Sequence, residues 1–128
     1  MRQHNDIETA LYSLLTSAGK SASAHSVPAS LGEALPHVHV VATGGFTQSM
    51  VIEVHNVDFD VYAGDPADAM TAASELCDWV RDLKGETVGT TCYESEVITL
   101  PYHNPDPRHS TLARVTFKTQ ISTRTKGR

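Results

Sequence analysis

Apolar and polar positions alternate most regularly from Val57 to Tyr62, where Val57, Phe59 and Val61 point one way and Asp58, Asp60 and Tyr62 the other. A period of two marks a strand with one face in a core and one face in water. Ala63-Gly64 breaks the run, and the period then changes. Asp65 is placed to cap a helix, Pro66 suits its first turn, and Asp68 lies where an acid favours the N-terminal dipole. Ala69, Ala72, Ala73, Leu76, Cys77, Val80 and Leu83 recur at helical spacing as one apolar stripe, with Glu75, Asp78, Arg81 and Asp82 opposite. Burying that stripe on the strand's apolar face contributes on the order of 5–10 kcal/mol before ordering entropy is charged against it.

Upstream, Asp6 caps an earlier helix bearing Ile7, Leu11, Leu14 and Leu15 on one face, and Gly19 ends it. Lys20 to Ser26 is small and polar and carries little structural signal. Ser30 heads a short turn through Glu33, which Leu35-Pro36 closes. His37 to Val41 reads as a strand, and Thr43 to Ser49 as a turn-rich loop leading into the central strand. A change of phase between Val54 and Val57 calls for a bulge at His55-Asn56. After Lys84-Gly85, Thr87 to Thr99 is β-prone. Three prolines in Leu100 to Arg108 predict a fixed, irregular arm. Leu112 to Ile121 alternates again, with Ala113, Val115, Phe117, Thr119 and Ile121 inward. Residues 1–5 and 123–128 read as loose termini. The order predicts a two-layer α+β domain: a roughly four-stranded, mostly antiparallel sheet with two helices packed on one face.

At 128 residues the chain makes one domain with a single modest core. No run of about 18 apolar residues is present, which gives no membrane partner. The N-terminus lacks a signal peptide's apolar block, so synthesis in the cytosol is expected, with Cys77 and Cys92 as small buried hydrophobes and not a disulfide. A net charge of −5 argues against general nucleic-acid binding.

Candidate chemistry is sparse. His37 and His39 share a strand face, and His55 is placed across the ladder from them, so a small metal-dependent enzyme using the three imidazoles is one alternative. No Cys-x-x-Cys or helical His-Glu-x-x-His supports it, and the strand histidines read as solvated or interface residues. Asp58 and Asp60 project from one strand face about 7 Å apart. Glu94 and Glu96 repeat that spacing; all four read as a solvated acidic surface and not as acid–base machinery. The two glycines at 44 and 45 precede no Gly-Lys-Ser/Thr, so no phosphate cradle is expected. The residues offer no catalytic group, no metal and no cofactor.

The order of segments resembles a known family. Val27-Pro28-Ala29-Ser30-Leu31, Leu35-Pro36-His37-Val38-His39-Val40, Thr43-Gly44-Gly45 and Val57-Asp58-Phe59-Asp60-Val61-Tyr62-Ala63 are followed by an alanine-rich helix. Then come Leu100-Pro101-Tyr102-His103-Asn104-Pro105, Arg108 and Ala113-Arg114-Val115-Thr116-Phe117. This series resembles the tail terminator proteins of long-tailed siphophages, those of actinobacterial phages above all, over roughly residues 27 to 121. The resemblance implies a structural protein and no enzyme: a homohexameric ring at the head-proximal end of the tail tube, in the virion, assembled in the host cytoplasm. It implies contacts to the tail tube protein and the head-tail connector, with DNA passing through the pore without specific binding. The subunit and tube contacts it implies are Thr43, Gly44, Gly45, Phe46, Pro101, Tyr102, His103, Asn104, Pro105 and Arg108. Asp58, Asp60, Glu94 and Glu96 are then candidates to line the pore. Another head–tail joining protein, a neck or tail-completion subunit, is the nearest alternative.

Overall fold

The computed structural model describes residues 4–126. Its elements are helix α1 (Ile7–Ser17), strand β1 (Ser21–Ala24), β2 (His37–Thr47), β3 (Ile52–Ala63), helix α2 (Pro66–Arg81), β4 (Thr87–Val88), β5 (Thr90–His103) and β6 (Ala113–Arg124). Two short 3-10 turns, Leu31–Glu33 and Pro107–His109, interrupt the loops. The architecture is α+β, with two helices on one face of a mixed open sheet in the order β1-β2-β3-β6-β5-β4.

Both helices start as their capping residues dictate. The Asp6 carboxylate accepts the Thr9 N–H at 3.3 Å, and Asp65 accepts the Asp68 N–H at 2.8 Å. Ile7, Leu11 and Leu15 of α1 join Ala69, Ala73, Leu76, Cys77 and Val80 of α2 in one core with the sheet. The sheet's contribution is the face bearing Val38 and Val40, Val57, Phe59 and Val61, and Val115, Phe117 and Ile121. At its centre the Phe59 and Phe117 rings stack 5.1 Å apart.

Five features depart from the sequence expectation. The sheet has two extra strands. β1 pairs with β2 in parallel, Ser21 opposite His37 through Ala24 opposite Val40, and β4 adds two residues beside Thr90 and Thr91. Four small residues carry no periodicity to announce β1, and its partner lies beyond a loop. Second, the expected bulge at His55-Asn56 is not there: β3 pairs with β6 without a break from Ile52 to Ala63, and the register shift falls in β2 between Ala42 and Gly45. The phase of β3 is kept because Glu53 and His55 take inward positions, satisfied by polar partners. Third, Thr43 to Thr47 is strand, the distal half of β2, and only Gln48 to Val51 forms the turn.

Fourth, β5 runs straight through Leu100-Pro101 to His103. Proline is tolerated because β5 is an edge strand there and its pairing with β6 shifts between Thr99 and Tyr102, so no ladder needs that N–H. The termini also differ. Asn5 is buried, and Thr123 and Thr125 are buried at the end of and just past β6. Residues 1–3 and 127–128 lie outside the described residues.

Candidate functional site

Alternation fixes which side chains reach the sheet face away from the helices. On β3 this face carries Asp58, Asp60 and Tyr62; on β6 it carries Arg114, Thr116, Lys118 and Gln120. Tyr62, expected in water, is only 1% exposed. The loop after β5 covers it: Asp106 Oδ2 accepts the Tyr62 hydroxyl at 2.9 Å and the His109 Nδ1 proton at 3.0 Å, with the Arg114 guanidinium 3.6 Å away. The other Asp106 oxygen accepts the Arg108 backbone N–H at 3.0 Å. Burial pushes the Asp106 carboxyl up, but the His109, Arg108 and Tyr62 hydrogen bonds and the Arg114 charge outweigh it and hold the group down at about 2.

The predicted arm therefore splits in two. Asn104 belongs to the fold: its carbonyl accepts Arg114 Nε–H at 2.6 Å, and its amide donates to Thr116 Oγ1 at 3.1 Å. Tyr102, His103, Pro105 and Arg108 are exposed, and Pro101 is half-buried. The predicted acids divide as well. Asp58 pairs with Lys118 at 2.8 Å, and Asp60 accepts the Thr116 hydroxyl at 2.6 Å. Glu94 meets Lys84 at 2.9 Å, and Glu96 is exposed opposite Gln120. The cations of this face thus interleave with its acids, which the strand pattern alone did not reveal.

The three histidines proposed as a metal set are not brought together. His37 and His39 lie opposite Tyr62 and Asp60, on the face away from the helices, whereas His55 lies opposite Ile121 on the helix side. Nor are His37 and His39 solvated: they are 3% and 8% exposed. Strand β1 encloses them, with Ser21 Oγ 2.7 Å from His37 Nδ1, and Ser23 Oγ 2.8 Å from both His37 Nε2 and His39 Nδ1. Burial lowers both imidazoles' affinity for a proton. For His37 the neighbouring His39 adds to that effect; for His39, Asp60 and Glu8 oppose it while Arg114 reinforces it.

Glu53 is a site residue that the sequence reading missed. Only 4% exposed, its carboxylate accepts the Asn5 backbone N–H at 3.0 Å, contacts His4, and lies 3.5 Å from His55 Nε2. Burial would raise its pKa, but the Asn5 and His4 hydrogen bonds bring it below the usual carboxylate value. A lone acid at an inward strand position was the available signal. Beside it a cavity of about 360 Å³ opens between the start of α1 and the β2–β3 hairpin, lined in part by Gly44, Gly45, Phe46 and His55.

Apart from the single Tyr12 on α1, the large apolar side chains that reach solvent among the described residues form two groups. At the hairpin they are Phe46, 56% exposed, with Met50 and Val51; along β5 they are Ile98 and Leu100, 55% and 69% exposed, with Tyr102. The predicted contact segments 43–46 and 101–108 flank these two groups. Both cysteines are free and buried. Among the described residues no helix is long and apolar enough to cross a membrane. No protein-family model and no curated protein sequence matches the chain.

Proposed function

We propose that this chain is a structural protein of a long-tailed phage that caps the head-proximal end of the tail tube as a ring, ends tube polymerisation and forms the joint to the head connector. The observation that carries the reading is the pair of unlike exposed apolar groups, Phe46, Met50 and Val51 at the hairpin and Ile98, Leu100 and Tyr102 on the β5 edge. A cyclic assembly larger than a dimer needs two different surfaces on one chain that fit each other. The segment order described above supplies the assignment to tail terminators. The Asp106 knot supports it too, because a pre-ordered arm loses little further freedom on docking.

The test is genetic and optical. In phage particles carrying Phe46→Glu or Leu100→Glu, tails are expected to grow past their normal length and fail to join heads. Tails of normal length joined to heads overturn the reading. In wild-type particles a labelled copy is expected against the last tube ring; a label on the portal side assigns a neck protein instead.

A further inference from the structure

The sheet is open, and its two flanks are covered unequally. Strand β4 pairs with β5 at Thr90 and Thr91. Gly85-Glu86 extends the cover to Cys92, whose N–H donates to the Glu86 carbonyl at 2.8 Å and whose carbonyl accepts the Gly85 N–H at 2.9 Å. Among the described residues no strand lies outside β5 after that. Strand β1 pairs with β2 only from His37 to Val40, and no described strand lies outside β2 beyond it. The Ala42 N–H is taken by the Glu8 carboxylate at 3.2 Å. The uncovered stretch of β2 therefore begins at Thr43.

These two stretches match in height. Reading across the sheet, Val41 faces Asp58, then Lys118, then Thr99, while Phe46 faces Val54, then Ser122, then Glu94. Each neighbouring pair from β2 through β3 and β6 to β5 is antiparallel. Strands β2 and β5 therefore run in opposite directions. A rotation about an axis along the strands brings the next copy's β2 against β5 antiparallel, without inverting either molecule. Above Thr99 that neighbour's β1 would stand in the way. There β5 carries Pro101 and the register shift between Thr99 and Tyr102, which end a ladder.

The chemistry agrees with the geometry. Residues 41–47 bear no charge, and the space beside Gly44 is open to a second backbone, since a Cβ added there would meet nothing within 4 Å. Exposed Ile98 on β5 lies level with Val41 and Ala42, at the end of that stretch. Pairing β5 with β5 would cover that edge and leave β2 bare on every copy, whereas head-to-tail pairing covers both edges with one contact.

We propose that successive copies join by main-chain pairing, residues 93–99 of β5 in one copy lying antiparallel to residues 43–47 of β2 in the next, so that one continuous sheet runs around the closed ring. This rests on the ring-forming reading and specifies where its subunits meet. The occupant of each edge is a second copy of this chain.

The test uses the full chain in two single variants, Thr43→Cys and Ile98→Cys, assembled on isolated tail tubes and mildly oxidised. Mixed together they are expected to give a covalent dimer, and each alone none. A covalent dimer from Ile98→Cys alone indicates β5–β5 pairing and overturns the proposal. Hydrogen exchange on wild-type rings provides a second measurement that depends on neither variant folding. The outward-facing amides of residues 43–47 and 93–99 are expected to exchange about tenfold or more slowly in the ring than in the free chain. Rings with unchanged exchange there overturn the edge pairing and leave the capping role standing. A chain that stays monomeric both free and on tubes overturns both.

Discussion

Asp106 shows how one side chain can decide the course of a loop. It collects a hydroxyl, an imidazole, a backbone N–H and a guanidinium, and so ties the end of β5 to the sheet face at Tyr62. Asp106→Asn keeps the shape but loses the charge, and is expected to lower stability by about 2–3 kcal/mol in chemical denaturation. The pH dependence has a definite sign. With a folded pKa of about 2 against an unfolded 3.8, the carboxylate stabilises the protein above pH 3.8, and that stability drains away as pH falls toward 2. The variant is expected to show a flatter stability curve across that window; an unchanged curve would mean that the knot does not hold the loop. Glu53 does comparable work at the other end of β3, where it fixes Asn5 ahead of α1.

Strand β1 is held by side chains as much as by its four-residue ladder, since Ser21 and Ser23 close on His37 and His39. Both imidazoles have folded pKa values below 6.5, so the unfolded chain binds protons first as pH falls. Stability from this clasp is therefore complete above pH 6.5 and lost on acidification below it. Protection factors of the amides at residues 21–24, corrected for the intrinsic pH dependence of exchange, are expected to fall between pH 7.5 and 5.5, and to fall less in His39→Asn. This clasp also shows where the sequence was opaque. Strand β3, helix α2 and strand β6 were legible because their periods are long and their apolar positions all face one core. Strand β1 was not, because Ser-Ala-Ser-Ala has no apolar contrast and its partner is parallel and distant. Strand β5 was read too short because proline argues against strand unless the edge is known to be free. The same limit hid the site: phase assigns a face to Tyr62, His37 and His55, but only the fold tells which face a loop or an extra strand will cover.

On the scale of the whole molecule, an open sheet leaves backbone donors and acceptors at its flanks. From Thr90 to His103 the only carboxylates are Glu94 and Glu96, and no Lys or Arg is present, so those two carry the electrostatic defence of that flank. Replacing both by Val is expected to lower the concentration at which light scattering and thioflavin binding appear, whereas the same exchange at exposed Glu75 and Asp78 of α2 is expected to leave it unchanged. Equal behaviour of the two double variants would remove the flank from any account of association. One last property follows from the core. Cys77 and Cys92 are shut inside it, and burial raises both thiols, that of Cys92 to about 11. The surface is consequently silent toward maleimides and mild oxidants in the native state. A dye, a spin probe or a gold cluster attached through one engineered thiol will report from that position alone, with no native residue removed first.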